Sequence, residues 1–264
     1  MWKWEADNPK GVIVIVHGAA EHHGRYRWLI EMWRCEGYHV IMGDLPGHGT
    51  TSRSQRGHIN SFDEYIETVE MWYKEAQRYE LPIFLLGHSM GGLIVIRSLQ
   101  EKQLSVKGVM LSSPWLALAE GLTPSRVLNS ASKVLNHLFP SFRFSTGLNA
   151  EMVTRNKEVI TFTKNDSLYV KKITVRWFRE IIQAHALAFS NINKFPDIPV
   201  LFMQSGSDEV VDKTKGKEWF DLSLLTDKTY KEWPGLYHEL FNEPERDKVF
   251  EYAKRFVETQ LELE

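Results

Sequence analysis

The sequence predicts an α/β protein: a mostly parallel sheet flanked by helices and interrupted once by a helical insertion. Three observations lead there. Short apolar runs rich in β-branched residues alternate with amphipathic stretches of helical period, which is the pattern of βαβ units. The runs read as apolar on both faces, as strands covered on both sides are. Between residues 114 and 196 the alternation stops, the chain becomes helical in character with Ser, Asn, Thr and Pro breakers, and the strand pattern then resumes.

In chain order, strands are expected over residues 12–16, 39–42, 83–86 and 106–111, with helices over 26–36, 62–79 and 91–102. Gly37 is a C-terminal stop for the first helix. Ser61 and Glu64 open the second with a capping box, each able to satisfy a backbone N–H at the helix start. After the insertion come a strand over 199–203, a helix over 213–225, a strand over 229–233 and a last helix over 245–261. The chain thus divides into a core of residues 1–113 and 197–264 and an inserted helical cap of residues 114–196. With 264 residues, 43% apolar and 25% charged, it can bury a sizeable core as one domain with an insertion.

The net charge is −2 and both signs are mixed along the chain, so there is no electrostatic footprint for nucleic acid. Cys35 is the single cysteine, which excludes an internal disulfide. Within its expected helix it reads as a small buried apolar residue, consistent with a reducing compartment. The run over 12–16 is too short for a signal-peptide core, and no run is long enough to cross a bilayer. A cytoplasmic protein is the expectation.

The strongest chemical signal is Gly87-His88-Ser89-Met90-Gly91, set directly after one expected strand and directly before a helix. A nucleophile elbow needs that sharp strand-to-helix turn, with small neighbours such as Gly87, Gly91 and Gly92 to let it close around a strained serine. Acyl transfer also needs preorganised donors for the oxyanion. One is the backbone N–H after the nucleophile, that of Met90. The second is assigned to Ala19, because His17-Gly18-Ala19-Ala20 follows the first strand where α/β-hydrolases carry this donor.

In that fold the triad order is Ser, then acid, then His, each partner on a loop after a late strand. Asp208 follows the strand over 199–203 and His238 the strand over 229–233. His238 would carry the Ser89 proton while Asp208 holds the imidazole tautomer, with Glu209 and Asp212 as rival acids. His88, inside the elbow, reads as packing or bonding locally. His17, His22 and His23 cluster with Glu21, but their spacing fits no standard metal-ligand pattern, so no metal is expected. Asp44-Leu45-Pro46-Gly47-His48-Gly49 reads as a structural loop bordering the site.

These motifs together resemble the monoacylglycerol lipase and lysophospholipase branch of the α/β-hydrolases, also grouped with the serine aminopeptidase-like hydrolases. The match runs through residues 17–26, residues 44–49, the elbow through Gly92, and the late Asp208 and His238. The chain looks most like the bacillus-type phospholipases of that branch. The resemblance implies a cap over the serine, an apolar acyl channel, and a small lipid or ester as substrate, without cofactor. Where the branch's lipases carry an apolar lid that docks on membranes, the cap here has only short apolar patches over 115–119 and 134–139. Core packing is the favoured reading of these patches and of the stripe Trp177, Phe178, Ile181 and Ile182. Peripheral membrane contact stays open.

Two other readings stand beside ester hydrolysis. An amide hydrolase or aminopeptidase could use the same constellation with an acidic pocket, for which Glu120, Glu151, Glu158 and Asp166 are candidates. A ligand sensor could keep the scaffold and turn over slowly.

Overall fold

The computed structural model describes residues 1–51, 55–123 and 125–263, with the side chains of 126–128 left aside. Its centre is a seven-stranded sheet built from β1 (Trp2–Trp4), β2 (Gly11–Val16), β3 (Tyr38–Met42), β4 (Ile83–His88), β5 (Gly108–Ser112), and two late strands. Those two are β8 (Val200–Ser205) and β9 (Lys228–Trp233), and the spatial order is β1-β3-β2-β4-β5-β8-β9. All neighbours run parallel except β1, which pairs antiparallel with β3 at the edge.

Strand alternation sends successive side chains to opposite faces, and both faces are covered. Val12, Val14 and Val16 of β2, with Ile83 and Leu85 of β4, pack into one apolar layer with residues of α2 (Asp63–Gln77) and α3 (Met90–Glu101). Ile13, Ile15, Phe84 and Leu86 enter the opposite layer, with residues of α1 (Arg27–Cys35) and α9 (Arg246–Glu262). The continuous apolar runs in the sequence are the signature of this two-sided burial.

Helix α1 buries Leu29, Ile30 and Trp33, and Cys35 falls off that face and is exposed. The expectation that Cys35 is buried is therefore corrected. At the start of α2, the Glu64 carboxylate accepts the N–H groups of Asn60 and Ser61, while Ser61 Oγ accepts that of Asp63. This ties down the helix entry the capping box marks.

After β5 the chain leaves the sheet and returns only at β8. The excursion holds α4 (Arg126–Leu138), α5 (Ala150–Val153), α6 (Lys157–Asn165) and a two-stranded antiparallel sheet of β6 (Arg143–Ser145) and β7 (Lys172–Thr174). It ends in α7 (Val175–Ser190), whose Thr174 cap accepts the Trp177 N–H. Because β5 and β8 are parallel neighbours, α7 also serves as their crossover, and its end lies on the sheet's flank. There the Ala188 carbonyl accepts from Gln100 of α3 and from Trp219 of α8 (Lys213–Leu222). Among the described residues no helix is long and apolar enough to cross a membrane.

Candidate active site

Ser89 lies between β4 and α3 with φ 52° and ψ −119°, a positive φ that an L-residue rarely adopts. The turn is held by the Ser89 N–H donating to the Ser112 carbonyl at 2.9 Å, and by the Ser89 carbonyl accepting from Gly92 and Trp115. Gly91 is dictated by space, since a Cβ there would stand 2.0 Å from the Val16 carbonyl oxygen. Gly87, one residue before the end of β4, completes the small-residue frame.

His238 and Asp208 come from the loops after β9 and β8. The His238 Nδ1–H donates to Asp208 Oδ2 at 2.9 Å, which leaves Nε2 as the ring's acceptor. The Asp208 carboxylate is buried and also accepts the N–H groups of Val210 and Val211 through Oδ1. Burial opposes ionisation of Asp208, but His238 and these donors hold its carboxyl below the usual range. Burial likewise disfavours a charged His238, yet the Asp208 charge and hydrogen bond lift its pKa above 6.5. Of the rival acids, Glu209 is exposed and Asp212 caps α8 by accepting the Thr214 N–H. Of the three acids, Asp208 is therefore the one that pairs with His238.

The loop after β2 lies against the serine, so that a Cβ on Gly18 would meet Ser89 Cβ at 3.2 Å. His17 fixes this loop: its Nδ1–H donates to the Gly18 carbonyl, and its Nε2 accepts the Leu45 N–H. Among the described residues neither the Ala19 nor the Met90 backbone N–H is given to an acceptor. Both stay available as donors beside Ser89. His88 donates from Nδ1 to the Ser112 carbonyl, the local bond expected of it, and burial lowers its pKa to about 4.

Above the serine is a cavity of about 270 Å³, just under the roughly 300–1,000 Å³ common for small-ligand sites. Ser89 and His238 line it, together with Trp115, Leu118, Phe144, Trp177 and Phe178. The patch over 115–119 and the Trp177–Phe178 stripe thus both pack and wall the cavity. Trp177 is buried and donates to Tyr65 Oη at 2.7 Å.

Near Ser89 and His238 the cavity wall includes two buried carboxylates, Glu21 and Glu239. The acids considered for an amine pocket lie elsewhere: Glu120 and Glu158 are exposed, Glu151 pairs with Lys164, and Asp166 bonds His22. Arg25 and Glu239 escaped the sequence reading, although Glu239 directly follows His238 and Arg25 sits in the loop motif after β2. Their pairing spans 214 positions of sequence. His22, His23 and Asp44 bring potential ligand atoms within 4.8 Å of one another, a grouping different from the histidine cluster of the sequence. Asp44 there accepts from His23 and Thr50, which ties the loop over 44–49 to the loop after β2.

The family model described as serine aminopeptidase, S33, matches residues 7–245. The chain belongs to the serine aminopeptidase S33 family. Within it, the chain is 51% identical to the phospholipase YtpA of Bacillus subtilis, over 99% of this chain and all of that one. It is 32% identical to the human monoglyceride lipase, over 92% of this chain and 79% of that one. Among solved structures, the monoacylglycerol lipase of Paleococcus ferrophilus superposes with a TM-score of 0.86 at 30% identity, covering 99% of this chain and 98% of that one. The S33 member described here thus has the α/β-hydrolase fold.

Proposed function

We propose that the chain is a serine ester hydrolase that releases fatty acid from a monoacyl lipid, a lysophospholipid or a monoacylglycerol. The observation that carries this reading is the apolar cavity ending on Ser89 and on the free Nε2 side of an Asp208-paired His238. Its size suits one acyl chain better than a whole diacyl lipid. The phospholipase and monoglyceride lipase names of the relatives support the same class.

In the proposed sequence Ser89 Oγ attacks the ester carbonyl carbon as its proton passes to His238 Nε2, and the oxyanion is received by the Ala19 and Met90 N–H groups. The C–O bond then breaks, and His238 returns the proton to the departing alkoxide, leaving acyl-Ser89. Water repeats the steps on the acyl-enzyme, giving its proton to His238, and the fatty acid leaves as Ser89 regains its own. These steps run on the chain's own side chains and water.

In the same reading, residues 114–196 are the cap, with α7 as its return limb to the core. Against the core packing expected of the patch over 134–139, Val134, Leu138 and Phe139 are exposed, as is Phe142, and this exposure supports peripheral contact with a lipid surface. A cytoplasmic location accords with the lone Cys35. The amide-hydrolase reading gains one observation, the carboxylates of Glu21 and Glu239 beside Ser89, but both are engaged by Arg25.

The test is Ser89→Ala with a panel of monoacylglycerol, lysophospholipid and aminoacyl anilide. Turnover should fall on the order of 10⁶-fold with the fold intact, and the wild type should prefer the two lipids. Preference for the anilide, or a folded wild type inert to all three and to a fluorophosphonate, would overturn the proposal.

A further inference from the structure

One buried ion pair stands between the two catalytic loops, and the reaction steps above do not use it. Arg25, on the loop after β2, donates through Nη2 to both carboxylate oxygens of Glu239 at 2.8 and 2.7 Å. Both side chains are at least 95% buried. Glu239 directly follows His238 in the chain, and its own N–H donates to the Val153 carbonyl at the end of α5. Arg25 also donates through Nη1 to Thr163 of α6, and its Nε lies 3.6 Å from Glu21 Oε1. The other oxygen of Glu21 accepts the Gly18 N–H at 2.8 Å, one residue before Ala19. An unbroken chain of contacts therefore runs from the backbone beside the oxyanion donor to the backbone beside the base.

Stability does not account for such a pair. Removing two charges from water costs several kcal/mol per ion, and apolar replacements of similar volume are often as stable or more so. What the contact adds is fixed geometry, because Nη2 holds both Glu239 oxygens while Nη1 holds Thr163 and Nε faces Glu21, so the planar guanidinium is set in place from three sides. Asp208 orients the imidazole ring, but it does not touch the loop of Ala19.

We infer that Arg25 and Glu239 are positioning residues that hold the His238 loop in register with the Ala19 loop, an assignment that rests on the ester-hydrolase reading. Neither touches the reacting atoms in this role. A misplacement of about 1 Å between base and oxyanion donors can cost on the order of 100-fold in rate. The effect falls on kcat, since the apolar walls that bind the acyl chain are untouched.

The experiment compares wild type, Glu239→Gln and the double variant Arg25→Met/Glu239→Met on a short soluble ester, with melting temperature and fluorophosphonate labelling of Ser89 measured in parallel. Glu239→Gln should lose about 10- to 100-fold in kcat, with KM within about twofold. If that variant fails to fold, the double variant still decides, because removing both charges together leaves neither one unpaired. It should melt close to wild type yet keep the low kcat and slow labelling. A double variant that regains wild-type kcat along with wild-type stability overturns the positioning role and leaves the ester-hydrolase reading standing. A folded wild type that neither cleaves the ester nor takes the label overturns both.

Discussion

Ser89 offers a test of whether the turn between β4 and α3 stores backbone strain. Its φ of 52° and ψ of −119° place an L-residue where backbone strain costs about 1–3 kcal/mol. Ser89→Ala keeps that strain, whereas Ser89→Gly removes it because glycine has no Cβ to clash. Glycine also loosens the unfolded chain, which offsets about 0.4–1 kcal/mol of the gain. The net difference between the two variants is about 0.5–2 kcal/mol in favour of glycine. For a domain of this size, each kcal/mol shifts the melting temperature by about 2–4 °C. Differential scanning calorimetry should therefore find Ser89→Gly melting about 1–8 °C above Ser89→Ala, with neither variant hydrolysing ester. If Ser89→Gly melts at or below Ser89→Ala, the turn is not strained and the elbow argument loses its physical basis.

Three further outcomes follow from the site and its surroundings. The proposed mechanism needs a neutral His238, so kcat/KM should rise with pH through the His238 pKa, with a midpoint above 6.5; Asp208→Asn should move the midpoint below 6.5, leaving burial as the dominant influence, and lower the rate by about 10⁴. A pH profile with the same midpoint in both proteins would contradict this. Burial also lowers His48 and His185 to about 3, so below pH 6.5 the unfolded chain binds protons that the native chain refuses, and stability falls with pH. His185→Leu should flatten that fall by about 1.4 kcal/mol per pH unit between pH 6 and 4, read from urea midpoints, and an unchanged slope would count against it. Gly91→Ala forces a Cβ against the Val16 carbonyl, so a loss of about 1–3 kcal/mol or more is expected, with Ser89 labelling reduced beyond the unfolded fraction. Wild-type labelling in that variant would show that the turn can relax.

Much of this fold was legible because its central strands β2, β3, β4, β5 and β8 are buried on both faces. β2 and β4 advertise themselves by unbroken apolar runs, and the elbow by a serine framed in glycines between a strand and a helix. β1 was not legible: three residues at the sheet edge, with Trp2 and Lys3 exposed, carry no alternation that burial would impose. β6 and β7 are likewise three residues each, with Arg143, Ser145 and Lys172 facing solvent. Cys35 misled because an amphipathic helix shows that a buried face exists before it shows where that face ends. The Arg25–Glu239 pair could not be read from spacing, since nothing local distinguishes an arginine that will meet a carboxylate from the far end of the chain. The order of Ser89, Asp208 and His238 was readable because topology places each at a strand's carboxyl end.

The dual character of α7 divides the cavity into a fixed wall and an adjustable one. Trp177 and Phe178 shape the space above Ser89, while about three turns further along the same helix Ala188 is bonded to α3 and α8 on the flank of the sheet. Any change at Trp177 that reshapes the cavity is mechanically continuous with the scaffold and is felt as lost stability. Phe144, on the two-stranded sheet of β6 and β7, and Leu118, on the segment after β5, line the same cavity without belonging to a core crossover. Divergence in acyl-chain preference within this architecture should therefore accumulate on that side, where a lineage can explore new substrates while the wall shared with the sheet stays as it is.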